Sequence, residues 1–142
     1  MVARRRSNPR RGRYETGLLI RFIYAACLLG ATYKHVMILR AHGLYYNYGG
    51  EPWLTCAFWT ALTFIDPLAV ILLFARPKAG LVATTVIIVA DVAHNSWSTW
   101  RDIGLYGAPH SIGWYLPLIE QGLFMLFVLA TVGTAWRTAP RN

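Results

Sequence analysis

Four long apolar runs constrain the fold of this chain more than any other feature. They cover residues 17–40, 53–75, 79–97 and 112–136, and a helix needs about 20 apolar residues to cross the hydrocarbon core of a bilayer. Charged residues make up only 14% of the chain, whereas soluble domains usually contain about 25%. Because the connections are short, neighbouring helices should be antiparallel. The sequence therefore predicts an all-α, integral membrane four-helix bundle with up-down-up-down topology.

Basic residues are concentrated in the segments expected on one side of the membrane. Segment 1–16, the turn 76–78 and segment 137–142 contain six, two and two Lys or Arg residues. The connections on the other side contain Arg40 and Arg101. Because cytoplasmic segments carry an excess of Lys and Arg, we expect both termini to be cytoplasmic. The predicted location is a bacterial inner membrane, or the endoplasmic reticulum if the source is eukaryotic.

The basic N-terminal segment also indicates the class of partner. Positive charge next to an apolar helix is attracted to anionic lipid headgroups. We therefore predict membrane lipid as a partner and do not predict binding to nucleic acid.

Three acidic residues lie inside the apolar runs, where an unpaired charge is costly and usually marks a functional interior. Asp66 and Asp91 are near the middle of the second and third runs, and Glu120 is slightly outside the middle of the fourth. At about 1.5 Å of rise per residue, all three fall between the midplane and the outer leaflet. The predicted catalytic residues are Asp91, Glu120, His94 and Asp66.

The spacing of polar residues within the runs predicts shared helix faces. Asp91, His94 and Asn95 stand at positions i, i+3 and i+4 and should share one face of the third helix. Trp59 and Thr63 begin a similar stripe on the second helix. The predicted ligand-binding residues, drawn from all four helices at this depth, are Lys34, His35, Trp59, Thr63, Asn95, Trp97, Trp114, Tyr115 and Gln121.

Two prolines inside the runs should leave backbone carbonyls without their helical donors. Pro67 and Pro117 lack an N–H group and so remove one helical hydrogen bond each. The carbonyls of Thr63 and Gly113, four residues earlier, should then need other partners.

Structural roles remain open for some of these groups. Lys34 can extend its ammonium to the outer surface or form an ion pair with Asp66, and Asp91 can form a local network with His94. Arg21 is expected to reach the cytoplasmic headgroups, as long basic side chains near helix ends do.

Part of the chain resembles the EXPERA family of membrane proteins, which includes sterol isomerases. The resemblance is carried by residues 51–75, which begin Glu-Pro-Trp and contain Cys56 and Pro67, and by the Tyr-Leu-Pro-Leu sequence at residues 115–118. It implies a four-helix fold with a pocket that opens sideways to the membrane. It also implies that buried carboxylates bind hydrophobic amines or sterols, and some family members shift a double bond by protonation and deprotonation.

Four functions follow as hypotheses. The first is a polar intramembrane pocket that binds, and in one version isomerises, a hydrophobic small molecule such as a sterol, a terpenoid or a lipid-like amine. The second is a small proton-coupled transporter or transporter subunit. The third is binding of a b-type haem between His35 and His94, and no other cofactor and no metal is predicted. The fourth is an assembly role, in which pairs such as Ala26 and Gly30 allow close packing, within the bundle or in a homodimer.

Overall fold

The structure, a computed structural model, describes residues 9–108 and 111–140. Within these ranges no strand occurs, which confirms the predicted all-α fold. A short 3-10 turn at Ile112–Trp114 precedes the last of four helices, which are α1 (Pro9–His42), α2 (Trp53–Ala75), α3 (Pro77–Tyr106) and α4 (Leu116–Thr138).

The helices form an up-down bundle with one shared interior. Helices α1 and α3 each pack against both α2 and α4. We call the half of the bundle next to the connection 43–52 the outer half and the half next to the turn at Arg76 the inner half. These names follow the orientation predicted from charge.

Large apolar side chains cover the outward surface of the bundle. All four helices are long and apolar enough to cross a membrane. Each carries exposed apolar side chains, for example Phe22 on α1, Leu68 on α2, Val86 on α3 and Leu123 on α4. An apolar surface of this extent is not typical of soluble monomers, but it matches the hydrocarbon of a bilayer. The chain is a multi-pass membrane protein.

Two helices are longer than the sequence pattern predicted. Helix α1 begins at Pro9 inside the predicted basic segment, whose residues 1–8 lie outside the described part of the chain. Helix α3 continues past Trp97 to Tyr106 and ends at Gly107, whose φ of +83° is accessible to glycine at little cost. The polar residues after Trp97 are therefore helical.

The two prolines have different effects on their helices. Pro67 lies inside α2, so the carbonyl of Thr63 loses its helical donor as predicted. Pro117 lies in the first turn of α4. Because the first N–H groups of a helix have no intrahelical partner, a proline there removes no hydrogen bond. The prediction that Pro117 frees the carbonyl of Gly113 is therefore wrong.

The inner half is held together by polar contacts as well as apolar packing. Arg21 is only 3% exposed, and its Nη1 donates to the carbonyl of Leu73 on α2 at 3.1 Å. The hydroxyl of Tyr24 lies 2.8 Å from Oγ1 of Thr131 and donates to the carbonyl of Val128 on α4 at 3.1 Å. The expectation that Arg21 reaches the headgroups is wrong, because its guanidinium finds backbone acceptors within the bundle.

Candidate functional site

Asn95 connects three helices by hydrogen bonds in the outer half. Its Nδ2 donates to Oδ1 of Asp91 at 2.8 Å, one turn earlier on α3, and to Oε1 of Gln121 on α4 at 2.9 Å. Its Oδ1 accepts the indole N–H of Trp59 on α2 at 2.7 Å. A side-chain amide offers two donor hydrogens and one acceptor oxygen, and Asn95 uses both groups. This cluster fixes the position of the Asp91 carboxylate.

A cavity of about 350 Å³ lies beside this cluster, with walls from all four helices. Because every helix contributes, the cavity depends on assembly of the whole bundle. Six residues predicted to bind or react with a ligand lie in its wall: His35, Trp59, Asp91, Asn95, Trp114 and Gln121.

Glu120 and Lys34 lie outside the cavity wall. Lys34 Nζ and Glu120 Oε2 form an ion pair of 3.0 Å across the outer surface of α1 and α4, and their side chains are 66% and 61% exposed. Neighbouring helix positions point about 100° apart, and on α4 it is Gln121 that faces the interior. The alternative in which Lys34 pairs with Asp66 is therefore wrong.

Asp66 and Thr63 are buried on α2 and do not belong to the cavity wall. Asp66 is 1% exposed and Thr63 is 7% exposed. Within the described part of the chain, Asp66 Oδ1 and Thr63 Oγ1 have no hydrogen-bond partner. Buried polar atoms without partners are rare and call for an explanation.

The remaining predicted residues form aromatic clusters. The ring of His94 lies 4.5 Å from that of Phe58 and 5.9 Å from that of Trp97, outside the cavity wall that contains His35. The two histidines predicted for haem therefore lie in different environments. Tyr115 packs edge-on against Trp114, with ring centres 4.9 Å apart.

Four polar residues of the cavity wall were not among the predicted site residues: Tyr48, Ser98, Thr99 and Asp102. Asn95, Ser98 and Asp102 stand at i, i+3 and i+7, which is a helical stripe. That signal was in the sequence, but the third helix was predicted to end at Trp97. Tyr48 had no comparable signal, because it comes from the connection 43–52, where it adopts a φ of +48° and packs against Trp59 with ring centres 5.0 Å apart.

The two carboxylates in the cavity wall differ in their partners. Asp102 accepts from Nη2 of Arg101 at 2.6 Å, and the same Nη2 contacts Glu51 at 2.7 Å. For Asp91, the residues that the structure describes provide a hydrogen bond from Asn95 but no Lys or Arg partner. Of the two carboxylates, Asp91 is therefore the one whose negative charge no described Lys or Arg neutralises.

A larger groove of about 580 Å³ lies at the outer end of α2, under the connection 43–52. Its wall includes Tyr45, Trp53, Cys56 and Ala61 and contains none of the predicted site residues. Over residues 9–108 and 111–140, no group of three or more His, Cys, Asp or Glu residues is arranged to hold a metal ion.

Comparison with known proteins does not identify this site. No family model, no curated protein and no solved structure matches the chain. The cavity and its chemistry are therefore the basis for assigning a function.

Proposed function

We propose that this membrane protein binds a small hydrophobic amine in the cavity of the outer half. The observation that carries the proposal is the Asp91 carboxylate, which Asn95 orients at the cavity wall and which no described Lys or Arg neutralises. A buried carboxylate is costly unless it is paired. The ammonium group of a ligand would supply the missing positive charge and donate hydrogen bonds to Asp91.

The aromatic residues of the cavity support a cationic ligand. Trp59, Tyr48 and Trp114 contribute rings to the wall around the carboxylate. The face of an aromatic ring attracts a cation within about 6 Å, most strongly for Trp. Ile38 and Leu118 add apolar surface for the hydrocarbon part of the ligand.

The size of the cavity favours an amine over the other predicted ligand classes. Ligand pockets usually enclose roughly 300–1,000 Å³, so a cavity of about 350 Å³ is small. A compact amine suits this volume and the polar wall better than a sterol or a terpenoid. The resemblance to the EXPERA family, in which carboxylates bind hydrophobic amines, supports the same ligand class, and membership in that family remains a prediction.

The other functions remain predictions. Isomerisation would require an acid and a base in contact with the ligand, and Asp91 and His35 are one such pair in the cavity wall. Proton-coupled transport, haem binding and a homodimer likewise stay predictions.

Binding can be tested by comparing amines with neutral analogues. We expect hexylamine and benzylamine to raise the melting temperature of the purified protein in mild detergent. The alcohols with the same carbon skeletons should have little effect, because they lack the charge that Asp91 requires. At about one hundred times its Kd, a ligand stabilises the folded state by ~2.7 kcal/mol. Equal shifts with amines and alcohols would contradict the proposal.

A further inference from the structure

We propose that the protein also binds Na⁺, at a second site formed around Asp66. This site is distinct from the cavity wall, which includes Asp91 but not Asp66. It lies deeper in the bundle. The hydrogen bond from Trp59 to Asn95 fixes the register of the antiparallel helices α2 and α3. Asp66 lies seven residues after Trp59 on α2, so on the antiparallel helix α3 it is level with residue 88, seven residues before Asn95. This level is about one turn inward of Asp91.

No Lys or Arg among the described residues forms an ion pair with the Asp66 carboxylate. On the neighbouring helix α1, the Lys and Arg residues on either side of this level, Arg21 and Lys34, are engaged elsewhere. Arg21 donates to the carbonyl of Leu73, and Lys34 pairs with Glu120. Between residues 121 and 136, α4 contains no charged residue. The nearest charge from α3 is Asp91, which is itself acidic and interacts electrostatically with Asp66.

The other three helices contribute buried apolar side chains near the level of Asp66, so the missing charge matters. Ile88 from α3, Leu28 from α1 and Val128 from α4 are all buried in the core of the bundle. An ion at Asp66, which is only 1% exposed, would face little competing solvent. A bound cation would offset the repulsion between Asp66 and Asp91.

The unpaired atoms near Asp66 are oxygens, which are the ligands that hard cations prefer. Thr63 lies one turn earlier on the same face of α2, and no described residue forms a hydrogen bond with its buried Oγ1. Its carbonyl also lacks a helical donor because Pro67 follows four residues later. Unwound or interrupted helices in transporters use such carbonyls to bind Na⁺. Thr84 on α3, fully buried with an unpaired Oγ1, is about one turn further inward.

This oxygen set favours Na⁺ over a proton as the neutralising cation. A proton on Asp66 would need one acceptor and would leave the hydroxyl of Thr63 and its carbonyl unexplained. A monovalent metal ion uses several oxygens at once and accounts for all of them. The Na⁺ site does not require the amine, so it can be tested on ligand-free protein, and failure of either proposal leaves the other intact.

The test is the melting temperature of ligand-free protein as NaCl replaces CsCl at constant ionic strength, because Cs⁺ is larger than Na⁺ and, unlike an organic ammonium ion, is not a candidate ligand for the amine cavity. We expect the wild-type melting temperature to rise by about 3 °C or more, because an ion that binds only the folded state stabilises it. KCl should give a smaller rise. Asp66→Asn should abolish the response. Glu120→Gln, which removes an exposed acid outside the site, should leave it unchanged.

A second variant, Thr63→Val, keeps the proposal testable if Asp66→Asn does not fold. Thr63→Val keeps the shape of the side chain and removes one oxygen. It should raise the Na⁺ concentration for half-maximal stabilisation roughly tenfold, which corresponds to ~1.4 kcal/mol. The proposal is overturned if Na⁺ and Cs⁺ give equal melting temperatures in the wild type. It is also overturned if Asp66→Asn retains the full Na⁺ response.

Discussion

Asp91→Asn is expected to weaken binding of hexylamine by roughly thirtyfold or more. The substitution removes the charge that pairs with the ammonium, and losing one partner of a buried charge pair costs about 2 kcal/mol or more. The side chain keeps its shape, and its carbonyl oxygen can still accept the hydrogen bond from Asn95. Ligand-free stability should stay the same or rise, because the substitution removes an unpaired buried charge. Calorimetric titration of the purified variant measures the affinity.

The matched control is Glu120→Gln, which removes the same charge from the exposed surface of α4. Its ion pair with Lys34 is solvent- or lipid-exposed, and exposed ion pairs contribute only about 0–1 kcal/mol. We expect wild-type amine affinity. If both variants lose affinity equally, Asp91 has no special role and the charge effect is general.

Gly80→Ala should be the most destabilising small substitution in the bundle. Gly80 lies in the first part of α3, against the end of α2. An added Cβ would lie 2.5 Å from Cα of Leu73 and even closer to its backbone nitrogen. Because these are backbone atoms, the helices would have to separate, which typically costs about 1–3 kcal/mol or more. Helix separation would also disturb the hydrogen bond from Arg21 to the Leu73 carbonyl. Thermal unfolding in detergent should show a melting temperature lower by roughly 5–10 °C.

Gly122→Ala on α4 provides the comparison for Gly80. A Cβ at Gly122 would meet no atom within 4 Å, and alanine favours a helix over glycine by roughly 0.5–1 kcal/mol. We expect an unchanged or higher melting temperature. A similar loss in both variants would show that helix α3 does not approach α2 as closely as the structure indicates.

The fold was predictable from the sequence because the four apolar runs are long and their connections are rich in turn residues. The predicted range of α2 agrees with the observed Trp53–Ala75. The end of α3 was not predicted, because polar residues at a membrane surface resemble a loop by composition. The start of α4 was placed early, since Ile112 and Trp114 are apolar but form a 3-10 turn.

The site was harder to predict because hydropathy gives depth in the membrane but not direction around a helix. Because Glu120 and Gln121 lie at the same depth, both were predicted to belong to the site, whereas only Gln121 lines the cavity. The spacing of Asp91 and Asn95 indicated their shared face, and the structure shows them hydrogen-bonded. The contribution of Tyr48 depends on the path of the connection 43–52, which no periodic pattern encodes.

The central claim is that the outer half of the bundle encloses a polar cavity open to water while the outward surface faces lipid. Thiol labelling in lipid nanodiscs tests it directly, with a permanently charged methanethiosulfonate reagent. The free thiols Cys27 and Cys56 are first replaced by alanine. Single cysteines are then introduced at Thr99 in the cavity wall and at Leu123 on the outward surface of α4.

The variant Thr99→Cys should react readily, and benzylamine should slow the reaction. The variant Leu123→Cys should remain unmodified, because a charged reagent does not enter hydrocarbon and a thiol there stays protonated. If Thr99→Cys reacts no faster than Leu123→Cys, the bundle has no water-accessible cavity at Asp91. That result would contradict the proposed amine site.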